Sequence, residues 1–424
     1  AVCLAAAVAG CGSSNGGGGG GSSAPGVTAT SITFGTHQPL TGPAAPGYSE
    51  IAPASQAFFD YVNAHGGVYG RKLHLIIKDD AYNPTNTVNV VHQLVLQDNV
   101  FGMFEGLGTP THTKVVGFLN ASKVPDLFVA SGCPCWDKGS AQPDTFGWQP
   151  NYTIEGKILG QYIKHHFPGA KIGVLYQDDD FGKGGLAGIR DEVPASSIIA
   201  KEPYESGTTT LASQVTAIKA AGAKVMIDFT VPIYTAIAQL TAFTLGYHPQ
   251  LVVSNVGIDP TTVGALLKTV SKGKASGTGL IEGAITDGYL PSPTDLSNPW
   301  IQLFRKIHDR YDARAPFDGN VEYGMAAAYT LVQALEASGK NLTRQKLVNA
   351  VSSDGAKWAG PGLVPFRYGG TQHGGYGGTE LGQVRNGKIV LFGGPLTTLP
   401  AAGSAIKRYS RSQPAPPGSG IPSS

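Results

Sequence analysis

Short apolar strands alternate with amphipathic helices along most of this 424-residue chain, and this alternation constrains the fold more than any other feature. A strand is expected at residues 31–35, a helix with one apolar face at 50–64, and a second strand at 73–77. The alternation restarts with a helix at 153–167 and a strand at 171–176. Such a pattern indicates parallel sheets covered on both faces. Two blocks of this kind predict an α/β protein with two lobes and a ligand cleft at the carboxyl ends of the strands.

The predicted boundaries follow from this pattern. The first lobe is expected to contain residues 31–149 and 287–364, and the second lobe residues 150–286 and 365–398. The later helices and strands are assigned to these two lobes because their pattern does not predict a separate third sheet. Residues 399–424, a tail rich in Pro, Gly and Ser, are predicted to be disordered.

The first residues have the composition of an export signal. Residues 1–10 are almost wholly small and apolar, and Cys11 follows them where a bacterial lipoprotein signal places its lipidated cysteine. Residues 11–30 then predict a flexible Gly/Ser tether. The alternative is a disordered N-terminus with a chance cysteine. The apolar run is far shorter than the roughly 20 residues that span a bilayer. We therefore expect an exported protein, anchored to the membrane by lipid, at the cell surface or in the periplasm.

Charge and motif content argue against several function classes. A formal net charge of +2 gives no electrostatic basis for a nucleic-acid partner. No serine or cysteine lies in a recognisable nucleophile motif, so the chain is not expected to be an enzyme. Gly106 and Gly108 begin a dinucleotide fingerprint, but Thr111 replaces its third glycine. The acidic residues 178–180 lack the spacing of an EF-hand loop. No cofactor and no metal are predicted, and a monomer is expected.

Residues 103–111 predict a strand, a tight glycine turn and a helix start. Thr109 suits the N-cap, and Pro110 suits the first helical position. Unpaired amide hydrogens, the helix dipole and the hydroxyls of Thr109 and Thr111 would then form a socket for a small carboxylate. The alternative is an ordinary capped turn between a strand and a helix.

Several motifs occur together in a characteristic order: Gln38-Pro39-Leu40-Thr41-Gly42-Pro43, Asn63-Ala64-His65-Gly66-Gly67, Gly70-Arg71-Lys72-Leu73, Asp79-Asp80, the turn at 106–111, and residues 175–182. From about Ile32 to about Gly394 the chain resembles the type I periplasmic binding proteins of branched-chain amino acid ABC transporters. The resemblance implies two Rossmann-like lobes joined by three crossovers, with the ligand held between them. It also implies a subunit that delivers a small solute to a permease and ATPase complex. A sensory subunit that reports the solute to a signalling partner is the alternative.

The same resemblance implies a set of ligand-binding residues. In the first lobe they are Thr109 and Thr111 of the turn, and Ala130, Ser131 and Gly132. In the second lobe they are Phe181, Thr230 and Asn255. Tyr48 matches an aromatic residue of the first loop, displaced by one position.

One departure from the family pattern affects the predicted ligand. Amino-acid-binding members place an acidic residue on the second lobe for the ligand's ammonium group, whereas residues 253–257 contain none and carry Asn255. The predicted ligand is therefore a small carboxylate with an apolar or aromatic body, and not a simple zwitterionic leucine analogue. Phe181, Tyr48 and Trp136 are candidates for an aromatic wall, with core packing as the alternative.

Cys133 and Cys135 are separated by a single residue. In an exported protein the two thiols could pair, but a one-residue gap closes a small, strained ring. Free, mutually paired and metal-bound forms all remain open from the sequence.

Overall fold

The computed structural model describes residues 24–275 and 277–423. The predicted residues 1–10, Cys11 and most of the tether therefore lie outside the described residues. Residues 24–30 belong to the predicted tether, but they pack on the first lobe, where Val27 forms a bridge with Ile32 and is buried. The structure thus differs from the prediction of a tether extending to residue 30, because this short segment has backbone partners in the lobe.

The first lobe contains a parallel five-stranded sheet. Its strands are β1 (Ser31–Gln38), β2 (Lys72–Asp79), β3 (Gly102–Phe104), β4 (Asp126–Val129) and β5 (Thr145–Gly147), in the order β2-β1-β3-β4-β5. Because the order reverses at β1, the loops after β1 and β3 open at the topological switch point of the sheet, where α/β proteins bind ligands.

The second lobe contains an eight-stranded mixed sheet. Its strands are β6 (Ile172–Gln177), β7 (Ile198–Tyr204), β8 (Val225–Phe229), β9 (Gln250–Val253), β10 (Ile285–Gly288), β11 (Gly378–Arg385), β12 (Lys388–Thr397) and β13 (Lys407–Arg408). They lie in the order β7-β6-β8-β9-β10-β11-β12-β13. Strands β6 to β10 pair in parallel, and β11 to β13 add antiparallel pairs at one edge.

The helices of the described residues follow the strands in chain order. They are α1 (Ala45–Tyr48), α2 (Ile51–Ala64), α3 (Pro84–Leu96), α4 (Thr109–His112), α5 (Val116–Ala121), α6 (Tyr152–His166), α7 (Asp180–Glu192), α8 (Ala212–Ala220), α9 (Pro232–Thr244), α10 (Pro260–Val270), α11 (Pro299–Tyr311), α12 (Gly319–Ser338) and α13 (Arg344–Asp354). Side-chain caps fix many of their starts: Asp179, Asp259 and Asp318 each accept a hydrogen bond from an amide of the first turn. None of the helices in the described part of the chain is both long and apolar enough to cross a bilayer.

From β1 to β13 the chain crosses between the lobes three times, which confirms the predicted fold class of two Rossmann-like lobes. It leaves the first lobe after β5, returns after β10 to α11–α13, and enters the second sheet again at β11. Helices α11 and α12 pack on α2 of the first lobe. Along the sequence, the late elements therefore alternate between the two lobes.

The tail differs from the expected disorder. In residues 399–423, β13 pairs with β12 on the second lobe. Further along, Trp300 Nε1 donates to Pro414 O at 2.7 Å, and Tyr61 donates its hydroxyl to Ser419 O at 2.6 Å, both on the first lobe. Proline-rich chain has little backbone freedom to lose, so a few hydrogen bonds from lobe side chains suffice to place it.

Candidate functional site

A cleft of about 190 Å³ lies between the lobes and is lined by residues of both. The lobes touch across it: Tyr48 donates its hydroxyl to Val256 O at 2.6 Å, and the Gly319 amide donates to Asp259 Oδ2 at 3.2 Å. The cleft therefore lies where parallel strands of both sheets end, and contacts between the lobes bring its two faces together.

The turn between β3 and α4 forms one wall. Gly108 has φ +104°, and a Cβ there would lie 2.5 Å from Thr111 Oγ1 and 2.6 Å from a ring carbon of Tyr82, so the turn requires glycine. The Gly108 amide donates to Ala130 O, and the Leu107 amide donates to His37 O. The turn is thus fixed to its two neighbouring strands.

Two parts of the anion-socket prediction are wrong. Helix α4 has only four residues and is followed by the separate helix α5, so little dipole accumulates at Thr109. Thr111 donates its hydroxyl to the carbonyls of Leu107 and Gly108 and serves the turn itself. The hydroxyl of Thr109 remains at the cleft.

A row of buried side chains in hydrogen-bond contact lies beneath this turn. Asp80 Oδ2 lies 2.8 Å from His37 Nδ1, His37 Nε2 lies 2.9 Å from His112 Nδ1, and His112 Nε2 lies 2.8 Å from Asp126 Oδ2. Burial lowers the pKa of His37, and the neighbouring Asp80 opposes that effect. A side chain at Gly106 would press on both imidazoles, which explains the glycine there.

A cluster of hydroxyl groups lies at this wall, with Thr109 at the cleft and Ser131 directly behind it. Thr109 Oγ1 and Ser131 Oγ are 2.7 Å apart, and both residues are buried. The phenol of Tyr152, at the start of α6, lies with them: burial raises its pKa to about 12, while hydrogen bonds from Ser131, the Gly132 amide and Thr109 oppose the rise. This wall offers neutral donors without a formal charge.

The opposite wall is acidic. Asn255 donates its side-chain amide to Glu155 Oε1 at 2.8 Å and to Asp287 Oδ2 at 3.2 Å, and its backbone amide also donates to Glu155. Burial and mutual repulsion raise the pKa of Glu155, and burial raises that of Asp287. Residues 253–257 contain no acid, as predicted, but the inference that this leaves no acidic group beside Asn255 is wrong, because Asp287 comes from β10 and Glu155 from α6.

Some of the predicted site residues line the cleft, and the others lie behind it. Tyr48, Thr109, Ala130, Phe181 and Asn255 line the cleft.

The remaining predicted residues lie behind it. Ser131 and Gly132 border a smaller pocket with Trp136, and Thr111 is buried in the turn. Thr230 is buried against Thr235, with their hydroxyl oxygens 2.6 Å apart. Close packing at residue 132 admits no side chain, because a Cβ would meet Pro150 O and the Tyr152 ring.

Sequence reasoning missed several cleft residues. They are Tyr82, Tyr152, Asp287, Tyr289, Glu322 and Tyr323. Asp287 lies at the carboxyl end of β10, where α/β proteins place ligand-binding residues, so recognising that strand would have pointed to it. Glu322 and Tyr323 had none, because they lie in a long helix whose position depends on the second crossover.

The structure pairs Cys133 with Cys135 in a disulfide. The Asp180 carboxylate lies close to both sulfurs. A paired cysteine offers no thiolate for a metal, so the arrangement decides between the three forms that the sequence left open.

Two α/β lobes around a solute-sized cleft define a bilobal solute-binding protein. A family model described as periplasmic binding protein matches residues 31–388, and the chain belongs to that family. It is therefore an extracytoplasmic solute-binding protein and not an enzyme, and the predicted resemblance to the branched-chain amino acid type of this family is confirmed.

Among relatives, Leu/Ile/Val-binding protein homolog 8 of Brucella abortus (strain 2308) is 25% identical over 358 residues, covering 78% of this chain and 83% of the relative. Among solved structures, a branched chain amino acid ABC transporter protein of Thermus thermophilus with bound valine has a TM-score of 0.76 at 18% identity, covering 88% of this chain and 97% of that one. A fatty acid ABC transporter substrate-binding protein of Thermomonospora curvata has a TM-score of 0.74 at 22% identity, covering 87% and 92%. At these identities the structures show a shared fold.

Proposed function

We propose that this chain is the solute-binding subunit of an ABC importer. It captures a small carboxylate or amino-acid-like solute between its lobes and delivers it to a permease and ATPase complex. The observation that carries the proposal is the cleft itself, with neutral donors at Thr109 on one wall and carboxyl groups beside Asn255 on the other. Valine and fatty acids, named for two proteins of the same fold, share a carboxylate.

In this proposal the two walls divide the recognition. Thr109, with Ser131 behind it, donates to the solute carboxylate, and Tyr152 lies beside both. Asp287, oriented by Asn255, accepts from an ammonium or amide group. Because these acids replace the one missing from residues 253–257, amino-acid-like solutes belong to the proposed class, including the zwitterionic ones that the sequence argument disfavoured.

A thermal-shift screen of amino acids, amides and aromatic carboxylates tests the proposal, since a solute bound only by the folded state raises its stability by mass action. A solute that raises the melting temperature should also reduce the radius of gyration in solution scattering, because the lobes close on it. Binding without either response, or turnover of the bound solute, would contradict a capture role.

The proposal includes a lipid anchor at Cys11 and a monomeric state. A full-length precursor should label with a fatty-acid analogue and partition into detergent, and Cys11→Ala should lose both properties. Equal labelling of the two proteins would remove the anchor from the proposal. Light scattering of the soluble chain tests the monomer.

A further inference from the structure

Four carboxyl groups converge where the first turns of α10 and α12 meet across the cleft. Asp259 comes from the second lobe, and Glu50, Asp318 and Glu322 come from the first. Asp259, Asp318 and Glu322 line the cleft. This cluster is built from different elements than the Glu155 and Asp287 pair, so it is a second acidic region of the same cleft.

The cluster contains buried acceptor atoms without partners. Glu322 is 1% exposed, and within the described chain its Oε1 has no hydrogen-bond partner. Oε2 of Glu50 is likewise buried and unpartnered there. No ion pair of the described residues involves any of the four acids. A buried carboxyl group without a donor is costly, so a donor supplied from outside the chain would be bound favourably.

The acids also destabilise one another's charged forms. Burial, followed by Asp318, Asp259 and Asp312, raises the pKa of Glu50 to about 7. Burial and the charges of Asp318 and Asp259 raise the pKa of Glu322. The basic residue that lines the cleft is Lys388, which is exposed.

Asp259 and Asp318 already serve as helix caps in this arrangement. Asp259 accepts from the Thr262 amide at 2.9 Å and from the Gly319 amide of the other lobe at 3.2 Å, and Asp318 accepts from the Asn320 amide at 2.9 Å. Their positions are therefore fixed, and Glu322 is the cleft-lining member with a buried acceptor that has no partner among the described residues.

Building on the proposed function, we propose that the captured solute carries an ammonium or guanidinium group which binds between Glu322 and Asp318 of the first lobe and Asp259 of the second. An organic cation fits this arrangement better than a metal ion. Among the described residues, these carboxylates do not come close enough together to coordinate one ion. A guanidinium presents several donors over a wider span.

The cation couples binding to closure of the lobes. Without it, closure brings the Asp259 carboxylate toward those of the first lobe, and like charges oppose that approach. With it, acids of both lobes contact one positive group, so the attraction is complete only in the closed form. The solute class and the closing motion are thus linked through the same residues.

Calorimetry with matched solutes tests this inference: L-arginine against L-citrulline, which replaces the guanidinium with an uncharged urea group, and L-lysine against L-norleucine. The wild-type protein should bind the charged member of each pair at least about tenfold more tightly, as expected for charge-assisted hydrogen bonds. Near pH 7, arginine binding should also release protons to the buffer, because the raised pKa of Glu50 keeps part of the cluster protonated beforehand.

The isosteric variant Glu322→Gln should abolish the preference for the charged solutes, whereas Asp354→Asn, at an exposed acid on α13, should keep it. Asp259→Asn provides a second variant if Glu322→Gln does not fold. Equal binding of both pair members by the wild type, or an unchanged preference in Glu322→Gln and Asp259→Asn, overturns the inference. If the protein binds norleucine or citrulline but neither arginine nor lysine, the inference is overturned while the proposal of solute capture stands. Binding of no solute in the set overturns it as well and counts against capture.

Discussion

The two walls of the cleft are built by opposite means. The first-lobe wall is a local device: a strand, a glycine turn and a short helix place Thr109 within a few residues of chain. The second-lobe wall is assembled from distant segments, with Glu155, Asn255 and Asp287 meeting from three elements. Around the turn the first-lobe wall offers neutral hydroxyl donors, whereas the carboxyl groups beside Asn255 make the second-lobe wall acidic; Asp318 and Glu322 of the first lobe belong to a separate part of the cleft. A cleft with this polarity suits a solute that has a carboxylate at one end and donor groups at the other.

The largest expected effect comes from removing charge on the second wall. Asp287→Asn should weaken binding of ammonium-bearing solutes by about 1.5–3 kcal/mol, or roughly ten- to a hundredfold, because a charge-assisted hydrogen bond is lost. Carboxylates without an ammonium group should bind unchanged. Calorimetry with both kinds of solute measures the difference.

Asp228→Asn is a matched control for that variant. Asp228 is also a buried acid of the second sheet, its pKa is raised to about 8 by burial, and it accepts from Gln239 outside the cleft. If Asp228→Asn and Asp287→Asn affected binding equally, the second wall would have no special role in recognition.

The next effect concerns the turn of the first wall. Gly108→Ala forces a side chain into a left-handed conformation against Thr111 and Tyr82 and should cost about 1–3 kcal/mol of stability. Gly117→Ala is the matched control, since a Cβ there meets nothing within 4 Å and alanine favours a helix by about 0.5–1 kcal/mol. Denaturant unfolding measures both variants, and a neutral result for Gly108→Ala would show that the turn is not rigid.

A smaller effect is expected from the hydroxyl of the first wall. Thr109→Val keeps the shape but removes the donor beside Ser131, so carboxylate solutes should bind about 0.5–1.5 kcal/mol more weakly, or roughly two- to tenfold. Thr109→Ser should retain most of the affinity. Loss of affinity in both variants would point to packing rather than hydrogen bonding.

The last effect is a pH dependence of stability to which Asp287 of the second wall contributes. The pKa of Asp287 is raised in the folded state from its ordinary value of 3.8, so the folded protein binds more protons than the unfolded chain just above that pH. Stability from this group is therefore present at low pH and declines as pH rises toward the folded-state pKa. The free energy of unfolding of the wild type, minus that of Asp287→Asn, should fall over this range. A difference that rises with pH would mean that Asp287 is stabilised as a carboxylate.

Local sequence signals were sufficient for the lobes and for the turn. The alternation of strands and helices specified two parallel α/β sheets, because it reports which faces are buried. Glycine at position 108 and threonine at 109 indicated the first wall. A turn that needs a positive φ favours glycine at that position, so it can be recognised from the sequence.

The sequence was insufficient wherever the outcome depended on distant partners. Asn255 suggested that the second lobe lacked an acid, yet tertiary structure supplied Asp287 and Glu155 from other elements. The composition of residues 399–424 suggested disorder, yet side chains of both lobes hold the described tail.

The sequence by itself thus determined the fold class and the turn of the donor wall, since both leave local patterns in the sequence: the burial periodicity of each element and the residue types of one turn. Only the tertiary structure decided the acidic wall, the Glu322 cluster, the disulfide between Cys133 and Cys135 and the path of the tail. The physical reason is that the burial and pairing of a carboxyl group, and with them its charge state, depend on groups that the crossovers bring from far along the chain.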